Sequence, residues 1–145
     1  MERLLIKVLP DAPFEPKLYY RKTGDVGLDL ETCVEAEEVT ISAGEFIDVP
    51  TGLSIKLPEN VWASIRPRSS TFAKRRLIVF DGTVDNGFVG ELFVMVYNPN
   101  KYDVTIKKGD RLAQLVLHPM VKCDIVYTHE LPQTERGQTG FGSTD

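Results

Sequence analysis

No apolar period of 3.6 residues persists for more than about ten residues anywhere in this chain. That leaves no material for a helical bundle or for helices covering a parallel sheet. What the chain has instead is short β-branched and aromatic runs. These are Met1–Leu9, Val39–Ile41, Phe46–Leu57, Val61–Ile65, Leu77–Phe80, Leu92–Tyr97, Val104–Ile106, Arg111–Leu117 and Val121–Tyr127. Turn signals separate them: Gly44, Pro58-Glu59-Asn60, Asn98-Pro99-Asn100 and Lys107-Lys108-Gly109-Asp110. Pro10, Pro13 and Pro16 forbid both helix and regular pairing after the first run. Short strands at this spacing predict an all-β sandwich or barrel.

The 145 residues suffice for one domain with a core, and no apolar run approaches the ~20 residues of a membrane helix. Glu2, Arg3 and Lys7 interrupt the first ten residues, so a secretory leader is not expected there and a cytoplasmic location is. Cys33 and Cys123 fit neither a metal spacing nor a disulfide framework and read as two reduced, buried thiols. His118 and His129 lack the partners of a zinc site. The net charge of −4 argues against nucleic-acid binding, though a local arginine cluster can still hold a small anion.

Several stretches carry groups beyond what folding needs. In Phe80–Glu91, Asn86-Gly87 is a strong tight-turn signal and predicts a β-hairpin, with Asp85 just before the turn and Phe88 just after. Gly82, Gly87 and Gly90 would let backbone groups approach a small planar ligand. Taken alone, the stretch also fits an ordinary hairpin with a solvated Asp and a core Phe. After Pro67, Ser69 or Ser70 can cap a short helix over Thr71–Arg75, whose start, with Arg68, suits a phosphate or is simply a capped surface turn. Gln114 shares a strand face with Leu112 and Val116, so its amide needs partners. Asp29 lies between two leucines. The tail from Thr134 has three glycines and no packing stripe, yet carries Arg136, Phe141, Ser143 and Thr144. It reads as a mobile lid over 134–145, following a β-domain over 1–133.

Together these segments resemble the trimeric dUTPases in five motifs. The motifs run in family order: Asp25–Leu30, Pro67–Ser70, Gly82–Glu91, Gly109–Leu115 and Arg136–Thr144. The resemblance implies a jelly-roll-like β-barrel with one short helix, assembled as a homotrimer with sites shared between subunits. It implies hydrolysis of dUTP to dUMP and pyrophosphate, assisted by Mg²⁺. Asp85 would activate the water, and Arg68, Ser69 and Ser70 would hold phosphate. Gly82, Val84, Asn86, Gly87 and Phe88 would read the uracil and pack on the deoxyribose. Asp29 and Gln114 would grip Mg²⁺ or the α-phosphate through water, with no direct protein ligand to the metal. Gln114, Arg136, Phe141, Gly142, Ser143 and Thr144 would complete the substrate contacts, Phe141 lying over the uracil. Two positions depart from the family pattern: Phe88 replaces a usual tyrosine, and Val79 replaces an asparagine six residues before Asp85. Neither nucleic acid nor membrane is an expected partner. A regulatory protein partner is an expectation only for a phage-derived chain.

A dCTP deaminase shares the fold in this resemblance, but it needs a glutamate three residues before an asparagine on the strand after the hairpin. Here that position is Met95, which moves no protons.

Overall fold

Apolar alternation along the strands resolves into two four-stranded antiparallel sheets that face one another. The computed structural model describes residues 2–142. The strands are β1 (Leu5–Val8), β2 (Gly27–Glu31), β3 (Glu38–Ile41), β4 (Phe46–Lys56), β5 (Val61–Pro67), β6 (Ile78–Val79), β7 (Gly82–Val84), β8 (Glu91–Tyr97), β9 (Val104–Lys107) and β10 (Arg111–Pro119). A single short helix, α1 (Ser69–Arg75), connects β5 to β6 among the described residues. One sheet has the order β1-β4-β8-β6 and the other β2-β10-β5-β7, while β3 and β9 form a separate ribbon. The architecture is the expected all-β, jelly-roll-like sandwich.

The core lies between the two large sheets. Leu28, Leu30, Ala63, Ile65, Ala113 and Leu115 face it from one side; Val49, Leu53, Ile55, Leu92, Val94 and Val96 face it from the other. Burying each larger aliphatic side chain is worth roughly 1.5–3 kcal/mol before entropy is charged against it. Ile41 and Ile106, both fully buried, join the ribbon to this core. Among the described residues, Asp29 Oδ2 is the one buried side-chain polar atom without a hydrogen-bond partner. Fully buried Asn98 donates from Nδ2 to the carbonyls of Ile41 at 2.9 Å and Tyr102 at 2.9 Å, and so pins its turn.

The chain departs from the sequence pattern in four places. The stretch 121–127 forms no strand: β10 ends at Pro119, and no sheet edge among the described residues pairs with the segment beyond it. Val121, Ile125, Val126 and Tyr127 are therefore exposed, and so is Cys123; only Cys33 is a buried thiol. Burial pushes the Cys33 thiol above its ordinary pKa. The register of β10 shifts between Arg111 and Ala113, so Leu112 turns into the core with Ala113 and Leu115 instead of sharing a face with Gln114. Finally, the expected pairing of Leu77–Phe80 with Leu92–Tyr97 is present as β6 with β8, but β7, the strand that leads into Asn86-Gly87, pairs with β5 and not with β8. Asn86-Gly87 carries the chain from one sheet to the other.

Candidate active site

That change of sheet makes a cleft. β6 reaches only the Val96–Tyr97 end of β8, with Phe80 N–H donating to the Met95 carbonyl at 3.0 Å. Further along, β7 and the Glu91–Phe93 end of β8 border a cavity of about 310 Å³. Gly82, Asp85, Phe88, Phe93 and Met95 are among its walls. β7 ends its sheet, so its outer edge leaves backbone N–H and C=O groups unpaired among the described residues.

The turn itself is rigid. Phe88 N–H donates to the Asp85 carbonyl at 3.1 Å, and Gly87 takes φ +99°. Positive φ at the third turn residue alone defines a type II turn, which glycine accepts without strain. Asn86 Nδ2 donates to the carbonyls of Pro58 and Val61, both at 2.8 Å, hooking the turn onto the β4–β5 loop. Val84 is buried in the core. The side chains of Val84 and Asn86 are thus committed to the fold, and only their backbone groups are free for a ligand. The Phe88 ring lies directly over Gly90, where an added Cβ would sit 2.7 Å from Cζ. Val79 is a core residue at 6% exposure, so nothing polar reaches the cleft from that position.

A second cavity, about 480 Å³, gathers the charged residues. Asp29 on β2 stands opposite Gln114 on β10, and Gln114 stands opposite Arg66 on β5. The Asp29 side chain is only 13% exposed and is bracketed by two guanidinium groups. Arg68 Nε lies 3.1 Å from Oδ1, and Arg21 Nε lies 3.4 Å from Oδ2. Both are charge contacts without hydrogen-bond alignment, and among the described residues Oδ2 is a buried acceptor with no donor. Gln114 Nε2 donates to the Pro67 carbonyl at 3.1 Å. Its amide oxygen lies so close above Gly27 that any Cβ there would collide with it.

Ser69 lines this cavity at the start of α1. Arg68 itself occupies the N-cap position, and no side chain caps the helix, so neither Ser69 nor Ser70 plays the capping part that the sequence suggested. The helix is fixed instead through Thr71, which is buried and donates to the Leu112 carbonyl at 2.6 Å.

Asp29 Oδ2 and the Gln114 amide oxygen offer acceptors to bound water. Among the described residues no group of three or more His, Cys, Asp or Glu could hold a metal ion. Two such oxygens fit a hydrated hard cation gripped through its waters.

The tail stands apart from both cavities. Arg136 Nε donates to the Thr139 carbonyl at 2.6 Å, Phe141 is fully exposed with φ +48°, and Gly142 is exposed. None of the described tail residues lines either cavity. Ser143 and Thr144 lie outside the described residues. Sequence reasoning missed Arg21 and Lys22, which line the charged cavity, and Asp48 and Phe93, which line the cleft. The signal for the first pair was two adjacent cations just before the Gly24-Asp25 turn.

Comparison with known proteins agrees with the motifs. Residues 16–145 match the dUTPase family. The deoxyuridine 5′-triphosphate nucleotidohydrolase of Caldanaerobacter subterraneus subsp. tengcongensis is 42% identical over 143 residues, covering 97% of this chain and 96% of the relative. That of Hydrogenobaculum sp. is 40% identical, covering 98% and 97%. Among solved structures, the Staphylococcus bacteriophage 80alpha dUTPase with dUPNHPP superposes with a TM-score of 0.90 at 23% identity, covering 100% and 99%. It was described with phage dUTPases that control transfer of virulence genes by a G protein-like mechanism. A mutant dUTPase from phage phi11 of S. aureus, described as coordinating a structural Mg(II) ion, has a TM-score of 0.77 at 21% identity, covering 90% and 99%. The chain belongs to the dUTPase family of nucleotide hydrolases. No helix among the described residues is long and apolar enough to cross a membrane.

Proposed function

We propose that this chain hydrolyses dUTP to dUMP and pyrophosphate at sites completed between the subunits of a homotrimer. The observation that carries the shared site is the distance between its two halves on one chain. Asp85 follows β7, and Asp29 sits on β2, three strands away and offset along them. Strand spacing and rise put their Cα atoms about 20 Å apart. A general base must lie within about 3 Å of the water it activates, or one water further. One chain therefore cannot bring Asp85 and the Asp29–Arg68 pair to the same α-phosphate. A neighbouring copy can, if its charged cavity faces this chain's cleft. The exposed strip of Val121, Ile125, Val126, Tyr127 and Leu131 also suits a neighbouring subunit, since an apolar strip of this kind marks an interface.

In this arrangement the cleft takes the nucleoside. Unpaired backbone groups from Gly82 to Phe88 read the uracil edge, and the Phe88 ring packs on the deoxyribose where a 2′-hydroxyl would clash. Arg68 and Ser69, with Ser70 beside them, hold the phosphate chain. Asp85 accepts a proton from water as the water oxygen attacks the α-phosphorus. The bond from that phosphorus to the bridging oxygen breaks, and its electrons leave with pyrophosphate. Asp29 and Gln114 position water, and they would hold a hydrated Mg²⁺. The ion, when bound, supplies neutralisation of the leaving group's charge. Arg136, Phe141, Gly142, Ser143 and Thr144 close over the nucleotide from a neighbouring tail.

The test is pyrophosphate release with Mg²⁺ present. dUTP should be preferred over dTTP, dCTP and UTP by about a hundredfold or more in kcat/KM, the order that steric and hydrogen-bond discrimination can supply. Comparable release from UTP or dTTP would overturn the assignment of the cleft.

A further inference from the structure

The two arginines on Asp29 are not equivalent. Arg68 is held at two points: Nε on Asp29 Oδ1 at 3.1 Å, and Nη1 donating to the Arg111 carbonyl at 3.1 Å. That leaves one terminal amino group for a ligand. Arg21 touches Asp29 only through Nε at 3.4 Å, and among the described residues its two terminal amino groups form no hydrogen bond. It sits in the irregular stretch between β1 and β2, not on a strand, and its side chain is 38% exposed. Both arginines line the same cavity, with Lys22 beside Arg21. An unoccupied guanidinium fork facing a cationic cavity matches the paired oxygens of a phosphate group.

We infer that Arg21 is a ligand for the β- and γ-phosphates of the nucleotide, parked on Asp29 when the site is empty. Entry of the phosphate chain draws the fork off Asp29 Oδ2, which is then free to accept from water. Arg68 remains in place and orients Asp29; Arg21 moves and binds. This inference rests on the proposal that the charged cavity receives the phosphate chain.

The experiment measures equilibrium binding of two ligands to the full chain in magnesium buffer: the non-hydrolysable imido analogue of dUTP, and dUMP. Arg21→Gln should weaken the analogue about tenfold or more, the usual effect of removing hydrogen bonds to a charged group, and dUMP less than about twofold. Arg21→Lys should recover part of the loss, since it keeps the charge but not the fork. Thermal melting of the ligand-free variants should match wild type. Equal weakening of both ligands would mark Arg21 as a structural partner of Asp29 and overturn the inference. No weakening of the analogue, while Arg68→Gln does weaken it, would overturn the role of Arg21 and leave the cavity's assignment standing. If Arg68→Gln also leaves the analogue unaffected, the cavity does not hold the phosphates, and the inference falls with that reading.

Discussion

Replacing Gly90 with alanine adds one methyl group at the point where the Phe88 ring rests. The new Cβ would lie 2.7 Å from Cζ and 3.0 Å from Cε1, against 3.4–4 Å for ordinary contact. The ring must withdraw by roughly 0.7 Å or more to restore normal van der Waals separation. Gly90 does not have positive φ, so alanine strains no backbone there. Phe88 is 47% exposed and has room to swing outward, so the fold should lose no more than about 0.5 kcal/mol. The proposed role of the ring is less forgiving. A misplacement near 1 Å can cost on the order of a hundredfold when geometry sets the rate. Gly90→Ala should therefore lower kcat/KM for dUTP by about 10- to 100-fold, or roughly 1.4–2.7 kcal/mol of transition-state stabilisation. The dUTP-to-UTP ratio should fall with it, because a displaced ring no longer blocks the 2′-hydroxyl. The assay is steady-state pyrophosphate release from both nucleotides, with melting temperatures as the control. A folded variant with kcat/KM within about twofold of wild type and an unchanged ratio would refute the claim that this seat positions the ring.

Asp85→Asn should nearly abolish hydrolysis while nucleotide affinity stays within a few-fold, because the amide keeps the shape but accepts a proton poorly; isothermal titration with single-turnover kinetics separates the two, and half of wild-type turnover would remove Asp85 from its role. Deleting Glu135–Asp145 should leave a folded protein with kcat reduced more than dUTP affinity, since the described tail residues line neither cavity and bury almost nothing in this chain. A large fall in ligand-free melting temperature would show the tail to be structural. Met95→Glu should not yield a dCTP deaminase. Asp48 stands directly opposite Met95 across the β4–β8 pair, so the new carboxylate would face a like charge; uridine nucleotide formed from dCTP would contradict this.

The strands were legible because their turns carry unmistakable residues, and because a buried face must alternate. Partnership was legible only in part. Leu77–Phe80 and Leu92–Tyr97 do pair, as β6 with β8, but Gly82–Val84, the strand that leads into Asn86-Gly87, joins β5 in the other sheet, which its own residues do not reveal. The same limit explains 121–127, whose strand-like composition finds no partner among the described residues. The shift at Leu112 escaped because one extra residue in β10 inverts an alternation that is otherwise regular. At the site, residue type singled out Asp85, Arg68, Asp29 and Gln114 as candidates, and the fold sets Asp29, Arg68 and Gln114 around one cavity and Asp85 at another. For Asn86 it pointed to a backbone role, and the fold adds a second use, since the side-chain amide holds the carbonyls of Pro58 and Val61. Arg21 escaped because a cation in a proline- and glycine-bounded loop looks solvated until the fold sets it against Asp29.

Two inactive variants test the shared site most directly. Asp85→Asn keeps the charged cavity, and Arg68→Ala keeps the cleft; each alone should be nearly inactive. They are refolded together in equal amounts so that subunits assort at random. If each site takes Asp85 from one chain and Arg68 from the next around a closed ring, every mixed trimer has one complete site. About three quarters of trimers are mixed, so activity should return to roughly one quarter of wild type. If Asp85 and Arg68 of the same chain served one site, no assortment could restore it. Recovery of no more than a few per cent, with mixed trimers confirmed by native mass spectrometry, would contradict the account.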